Sequence, residues 1–392
     1  MEVIRPGTVG QVSAALRQAA REGRTVRVRG GGTRSGWGPP TPDPDLLLDL
    51  RGLDRTIEHA AGDMVVRAEA GAPLARLAEE LAATGQQLAV DVPRYDDGTV
   101  LAGSTLGGAL AVGLAGSRRL RYGRPRDLLL GVTVVRADGV VARSGGRVVK
   151  NVAGYDLGKL LTGSYGTLGV IVSATLRLHP VPPDRAWVTA RLPDPGAAHR
   201  CATALLNSQV AVSAVEVDRP AGGAAVSVAA LLEGTVDGVA ARAATAAALM
   251  RGAVAGEPPE WFGRWPGRPD GTLIEVRVPP AALVDAIAVV DAAAGEAGLT
   301  VPVRGSASTA TLYLSLAPDT DPAAVGRLVA RLRSGLAPHR GYAVVRHAPP
   351  AVAITVDFWG PVDPGALTLM RRIKDQFDPE HRLAPGMFVG GI

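Results

Sequence analysis

One stretch of the chain, GGRVVKNVAGYDLGKLLTGSYGTLGVI from Gly145 to Ile171, gathers residue types that hold a ligand: Lys150, Asn151, a Tyr155-Asp156 pair, Ser164, Thr167 and five glycines between Gly154 and Gly169. Glycine at this density marks backbone that turns with positive φ or comes very close to another group. Only Asp156 to Leu161 reads as a short helix; Gly163, Gly166 and Gly169 then punctuate a loop that leads into an apolar strand from Val170 to Leu178. Among 42 basic residues only Lys150, Lys159 and Lys374 are lysines, so the presence of two of them here singles the stretch out. A tight structural crossover would use the same glycines.

Two further segments carry compatible chemistry. In VRVRGGGTRSGWGPP, Val26 to Pro40, a strand from Thr25 to Arg29 runs directly into Gly30, Gly31 and Gly32, followed by Thr33, Arg34 and Ser35. Consecutive glycines let successive amide N–H groups converge on an anion such as a pyrophosphate. A Rossmann fingerprint would need a helix next, its N-terminus holding the phosphates. Pro39, Pro40, Pro42 and Pro44 prevent one from starting there, and no Lys-Ser or Lys-Thr pair closes a Walker loop. In LAGSTLGGALAVGLAGSRRLRYGRPRDLLLG, Leu101 to Gly131, residues Gly103, Ser104 and Thr105 offer amide and hydroxyl donors, while Gly107 and Gly108 let a following helix approach closely. Arg118, Arg119, Arg121 and Tyr122 follow, and guanidinium forks bind phosphate or carboxylate in bidentate fashion. A solvated basic turn is the alternative reading of those arginines.

The elements that position these segments are legible in outline. A helix over Val9 to Glu22 precedes the first glycine loop; short strands at Leu46 to Leu50, Thr56 to Ala60 and Met64 to Ala70 and a helix over Pro73 to Thr84 separate it from the second. Leu128 to Arg143 reads as a hairpin turning at Asp138-Gly139. Beyond Pro183 the order strand, helix, strand, strand, helix, strand suggests a ferredoxin-like sheet with helices on one face, interrupted by a Pro/Trp/Gly linker from Gly256 to Gly271.

Composition bounds the function. A length of 392 residues predicts two domains, and 47% hydrophobic with 20% charged residues predicts a globular protein. The single Cys201 cannot hold an iron–sulfur cluster. His59, His179, His199 and His339 have no second ligand at metal spacing, so no metal site is expected. His347, beside Arg346 at a strand edge before Pro349-Pro350, is a candidate for a proton acceptor. The net charge of +5 is spread among nearly as many acids, not clustered as nucleic-acid binding requires. The N-terminus lacks a signal-type apolar core and no run reaches membrane-span length, predicting a cytoplasmic protein, with membrane attachment through a partner left open.

Taken in order, the three glycine-rich segments resemble the flavin-binding domain of the vanillyl-alcohol oxidase and p-cresol methylhydroxylase (PCMH-type) family. Within it they are most similar to the FAD-binding subunits of bacterial glycolate oxidases. The resemblance covers approximately residues 1–182 and 361–392 and implies an α+β chain: a two-lobed PCMH-type domain with mixed sheets (1–182), a ferredoxin-like cap (183–360) and a C-terminal segment returning to the flavin domain (361–392). It implies FAD on Arg29, Gly30, Gly31, Gly32, Thr33, Arg34 and Ser35, on Gly103, Ser104, Thr105, Gly107 and Gly108, and on Lys150, Asn151, Gly163, Ser164, Gly166, Thr167, Gly169 and Ile171. Thr33 stands near where some relatives carry a histidine joined covalently to flavin, which implies non-covalent FAD.

By the same resemblance the chain is an FAD-dependent oxidoreductase acting on a 2-hydroxy acid of glycolate or D-lactate type. Hydride would pass to flavin N5, and electrons onward to a second flavoprotein subunit and an iron–sulfur subunit. Arg119 and Arg121 are expected to hold the substrate carboxylate, with Tyr122 and His381 as further catalytic candidates. The chain departs from its relatives in three places. Ala109–Ala115 lacks an asparagine they carry, Ala384-Pro385-Gly386 replaces their closing Asn-Pro-Gly, and the HxGDGNxH motif is absent. No general base emerges. Two alternatives stay open: a flavin-binding but catalytically silent or electron-relay subunit, and a sugar or aldehyde oxidase with an uncharged pocket.

Overall fold

The computed structural model describes residues 1–92, 94–96, 103–113, 115–146 and 155–392. The first helix, Val9–Arg21, starts where the Thr8 hydroxyl accepts the Gln11 N–H, and it buries Val12, Leu16 and Ala19. Beside it lies a parallel three-stranded sheet with Leu46–Asp49 in the middle, flanked by Glu2–Ile4 and Val26–Arg29. A five-stranded antiparallel sheet follows, in the order Thr56–Ala60, Val65–Glu69, Val170–Arg177, Leu129–Val135, Val141–Gly145. One parallel and one antiparallel sheet are the mixed arrangement the sequence predicted.

The chain beyond Pro183 builds two ferredoxin-like units. Each has the order strand, helix, strand, strand, helix, strand, and they join edge to edge where Ala214–Arg219 pairs with Val303–Ser306. The result is a single eight-stranded sheet. Side chains alternate between its faces. Val215, Val217, Ile274, Val276, Leu312 and Leu314 enter a core shared with the helices Pro195–Leu206, Val236–Met250, Leu283–Ala297 and Pro322–Leu336. Glu216, Asp218, Glu275 and Ser315, one position out of phase, are equally buried. On that second face Leu273 joins the core of the first domain and Tyr313 packs against it, so the acids are covered by the flavin-binding half, not by water.

Two segments tie the halves together, one expected to be a linker and one expected to return to the first domain. Arg264–Trp265, within the expected linker, pairs with Arg94–Tyr95, and Trp265 is 2% exposed in the first domain's core. The C-terminal helix Pro364–Phe377 carries Lys374, fully buried, whose ammonium donates to Asp378 (2.7 Å) and to the carbonyls of Thr167 (2.8 Å) and Leu383 (2.9 Å). Leu383 bridges Val26, so the tail extends the parallel sheet beside the first glycine loop. Among the described residues, no helix is long and apolar enough to cross a membrane.

Candidate functional site

Two cavities lie on either side of an aromatic contact between Trp37 and Trp265. The larger, about 280 Å³, is walled by Arg27–Ser35, Trp37, Thr105, Gly108, Ala111, Val112 and Tyr165. Val26–Arg29 ends at its rim, and the glycine loop turns back against the second segment. A Cβ at Gly30 would lie 2.2 Å from the Thr105 hydroxyl, and one at Gly31 only 1.5 Å from the Gly103 carbonyl oxygen. These glycines are therefore fixed by loop-to-loop contact, whereas the sequence suggested glycines opened toward a ligand. Thr105 caps the helix Leu106–Val112 by accepting the Gly108 N–H, and Gly107 packs on Ala70.

Three arginines line this cavity, Arg27, Arg29 and Arg34, and the one that reaches the hydroxyls of both glycine-rich segments is Arg34. It donates weakly to Thr33 (3.4 Å) and Ser104 (3.3 Å), lies over the Trp37 ring, and keeps a buried Nε with no partner. Among the described residues no carboxylate pairs with it, and burial pushes its pKa down to about 10. A half-buried guanidinium without a counter-ion among the described residues, flanked by the hydroxyls of Thr33, Ser104 and Thr105, fits a pyrophosphate. Arg29 fits less well: it faces the cavity but is paired with Asp49 at 3.1 Å.

Among the described residues of the third segment, Tyr165 alone lines this cavity. Gly163 N–H donates to the Leu110 carbonyl and Tyr165 N–H to the Ala111 carbonyl, which clamps the loop to the helix above. The Ser164 and Thr167 hydroxyls donate to Leu161 and Ser164 carbonyls, Gly166 has a turn φ of +79°, and Gly169 packs beside Val134 and Val135. Ile171 is 8% exposed, paired with Val134 in the strand core. The Ser164 and Thr167 hydroxyls and the Ile171 side chain are thus engaged within the protein, and none of Ser164, Thr167, Gly169 and Ile171 lines the larger cavity. Lys150 and Asn151 lie outside the described residues. Behind Tyr165, Arg346 donates to its hydroxyl (2.8 Å) and to Glu275 (2.9 Å). Burial would raise the Glu275 carboxyl, but Arg346 and Arg277 bring it down to about 2.

The smaller cavity opens between the second segment and the cap. Arg119, Asp91 and Trp265 line one side, Glu216, Ser306, Thr311 and Tyr313 the other. A ring contact links it to the larger cavity: Trp265 lies 5.3 Å, ring centre to ring centre, from Trp37. Arg119 is buried and donates to the Thr309 and Thr311 hydroxyls; no carboxylate pairs with it among the described residues, and burial lowers its pKa. Glu216 is 7% exposed, its Oε1 has no hydrogen-bond partner, and burial pushes its carboxyl up to about 8. Sequence reasoning missed Glu216 and Tyr313. The available signal was a polar residue set between apolar neighbours in AVEVDR and TLYLSL.

The other catalytic candidates are not brought to this cavity. Arg121 is exposed over the Tyr122 ring, because residues two apart on a helical turn face opposite sides. His381 sits on the surface, 2.7 Å from Asp375, and lines neither cavity. His347 is buried with Nδ1 donating to the Gly271 carbonyl (2.8 Å) and Nε2 accepting from Tyr95 (2.6 Å); burial drops its pKa to about 4. Tyr122 donates to buried Glu233 at 3.0 Å, a carboxylate also held by Arg118 and Arg185. Tyr122→Phe is therefore expected to cost about 1.5–3 kcal/mol of stability and to leave turnover unchanged, as measured by denaturant unfolding beside steady-state kinetics. Lost turnover at full stability would return Tyr122 to the chemistry.

Residues 2–145 match the family described as FAD binding domain, and residues 360–388 that described as FAD linked oxidases, C-terminal domain. Glycolate oxidase subunit GlcE of Escherichia coli K12 is 34% identical over 167 residues, covering 43% of this chain and 46% of that protein. D-2-hydroxyglutarate dehydrogenase of Xanthomonas citri pv. viticola is 35% identical over 188 residues, covering 48% and 39%. The chain thus spans less than half the length of these curated relatives. Among solved structures, an alkyldihydroxyacetonephosphate synthase superposes with a TM-score of 0.70 at 16% identity, over 97% of this chain and 75% of that one, a likeness of fold.

Proposed function

Since this chain belongs to the FAD-binding proteins of PCMH type, we propose that it oxidises a small 2-hydroxy monocarboxylic acid of glycolate or D-lactate type and delivers the electrons to a partner. The observation that carries this reading is Arg119: a buried guanidinium with no carboxylate partner among the described residues, in a cavity next to the cofactor's. An arginine so placed selects a carboxylate, because its planar fork matches two oxygens and a neutral ligand would leave it uncompensated. A sugar or aldehyde would not supply that charge.

Arg34, with the hydroxyls of Thr33 and Ser104, holds the pyrophosphate of FAD, and the clasp of Gly30–Gly31 on Gly103–Thr105 fixes that loop. Bound FAD supplies a two-electron acceptor. Arg119 orients the substrate by its carboxylate, and Trp265 and Tyr313 exclude water from the cavity. The onward acceptor is a second flavoprotein subunit with an iron–sulfur subunit; support comes from the one cysteine of this chain and from the relative that is by name a subunit.

The test is the visible spectrum of the purified protein, followed anaerobically while glycolate and then D-lactate are added. An acid-extractable flavin that bleaches is the expected result. A bound flavin that stays oxidised with both acids would overturn the reading in favour of a catalytically silent relay subunit.

A further inference from the structure

Resting on the reading of the smaller cavity as a 2-hydroxy-acid site, we propose that Glu216 is the catalytic residue that accepts the substrate's hydroxyl proton. It lies in the strand Ala214–Arg219, the seam of the eight-stranded sheet, directly across from Ser306. Its neighbours Val215 and Val217 enter the cap's own core, so the alternation of the strand turns Glu216 to the opposite face, where it lines the same cavity as Arg119.

The groups around it leave its charge uncompensated. From the turn Arg119–Tyr122 comes Arg119, engaged with the Thr309 and Thr311 hydroxyls. From the strand Val303–Ser306 comes Arg304, held by Asp218 at 2.7 Å and by Asp96. Asp91, also on the cavity wall, is paired with Arg118 at 2.7 Å. Arg264 and Tyr313 are the other titratable residues of the lining. Among the described residues no cation forms an ion pair with Glu216, and Oε1 lacks any hydrogen-bond partner. A buried carboxyl in that position favours its neutral form; burial raises it to about 8, with Arg119 and Ser306 pulling back only part of the shift. That is the range in which a general base near neutral pH is effective.

The step balances with FAD as the oxidant. The substrate carboxylate rests on Arg119. The O–H bond of the 2-hydroxyl breaks and the proton passes to ionised Glu216; the C=O bond forms as the Cα–H bond breaks, and FAD, when bound, would take the hydrogen with its electron pair. A 2-oxo acid and two-electron-reduced FAD result. Because the base must be ionised, kcat/KM rises as pH climbs through the Glu216 pKa.

Glu216→Gln tests this in the flavin-loaded protein. Glutamine is isosteric with the neutral carboxyl, so fold and flavin content are expected to be unchanged while kcat falls about 10²- to 10⁴-fold and the rise with pH disappears. Glu216→Asp is expected to keep a reduced rate and the rise. A readout independent of turnover is the carbon-13 titration of the Glu216 carboxyl, assigned by its loss in the glutamine variant and expected to ionise near 8. A wild-type protein that bleaches with either acid while Glu216→Gln matches its rate and pH profile overturns Glu216 and leaves the function standing. A wild-type flavin untouched by both acids overturns the function and this inference with it, and a carboxyl already ionised in mildly acidic solution overturns the base alone.

Discussion

Arg119→Met removes the carboxylate anchor and is expected to lower kcat/KM for glycolate or D-lactate roughly 30- to 5,000-fold, the about 2–5 kcal/mol lost when one partner of a buried charge pair is truncated. The guanidinium is buried and donates only to the Thr309 and Thr311 hydroxyls among the described residues, so its charge is not already neutralised inside the protein. The substrate would bring the missing anion. Methionine fills similar length without charge, and the variant leaves Arg34 and the larger cavity intact, so flavin content is expected to be unchanged. Arg119→Lys restores only part of the loss, because a point charge cannot span the two hydroxyls and a bidentate carboxylate together. Steady-state kinetics with the acid and with its uncharged alcohol analogue provide the check: the preference for the acid collapses in the variant. An unchanged preference would move the anchor to Arg264, the other arginine on the cavity wall.

What the sequence allowed to be read, and what it hid, follows from how each residue is oriented. The three glycine-rich segments were legible because glycine runs and interrupting prolines act locally; the structure brings Gly30–Gly31, Thr105 and Tyr165 to one cavity. Within RRLRY, composition could not say which arginine points inward. One helical turn places Arg119 in the cavity and Arg121 outside it. Glu216 and Glu275 were hidden for a different reason. In an antiparallel sheet, apolar residues alternating with polar ones normally mean a core face and a wet face, and AVEVDR and TLIEVR fit that pattern. Only the packing of the second face on the flavin-binding half makes those acids buried. That contact is long-range, arising between parts of the chain far apart in sequence. The same holds for Trp265, which lies in a stretch of linker composition and yet fills the first domain's core.

Arg34→Gln should move two measurements in opposite directions. In the flavin-free protein Arg34 is a cation whose Nε is shut from solvent, with long hydrogen bonds to two hydroxyls and no carboxylate partner among the described residues. An uncompensated buried charge destabilises a fold, so a neutral glutamine that keeps hydrogen-bonding capacity is expected to raise the unfolding midpoint of the apoprotein. With FAD bound, the balance reverses. The pyrophosphate is the counter-ion that Arg34 lacks, and its loss is expected to weaken FAD binding by about 2–5 kcal/mol. Ligand stabilisation scales as RT ln(1 + [L]/Kd), so each hundredfold loss of affinity removes about 2.7 kcal/mol of FAD-induced stabilisation. Thermal unfolding with and without FAD, beside flavin release by dialysis, reads both terms. A residue that merely braced the loop would lower both midpoints together, and that joint fall would rule out Arg34 as the ligand's charge partner.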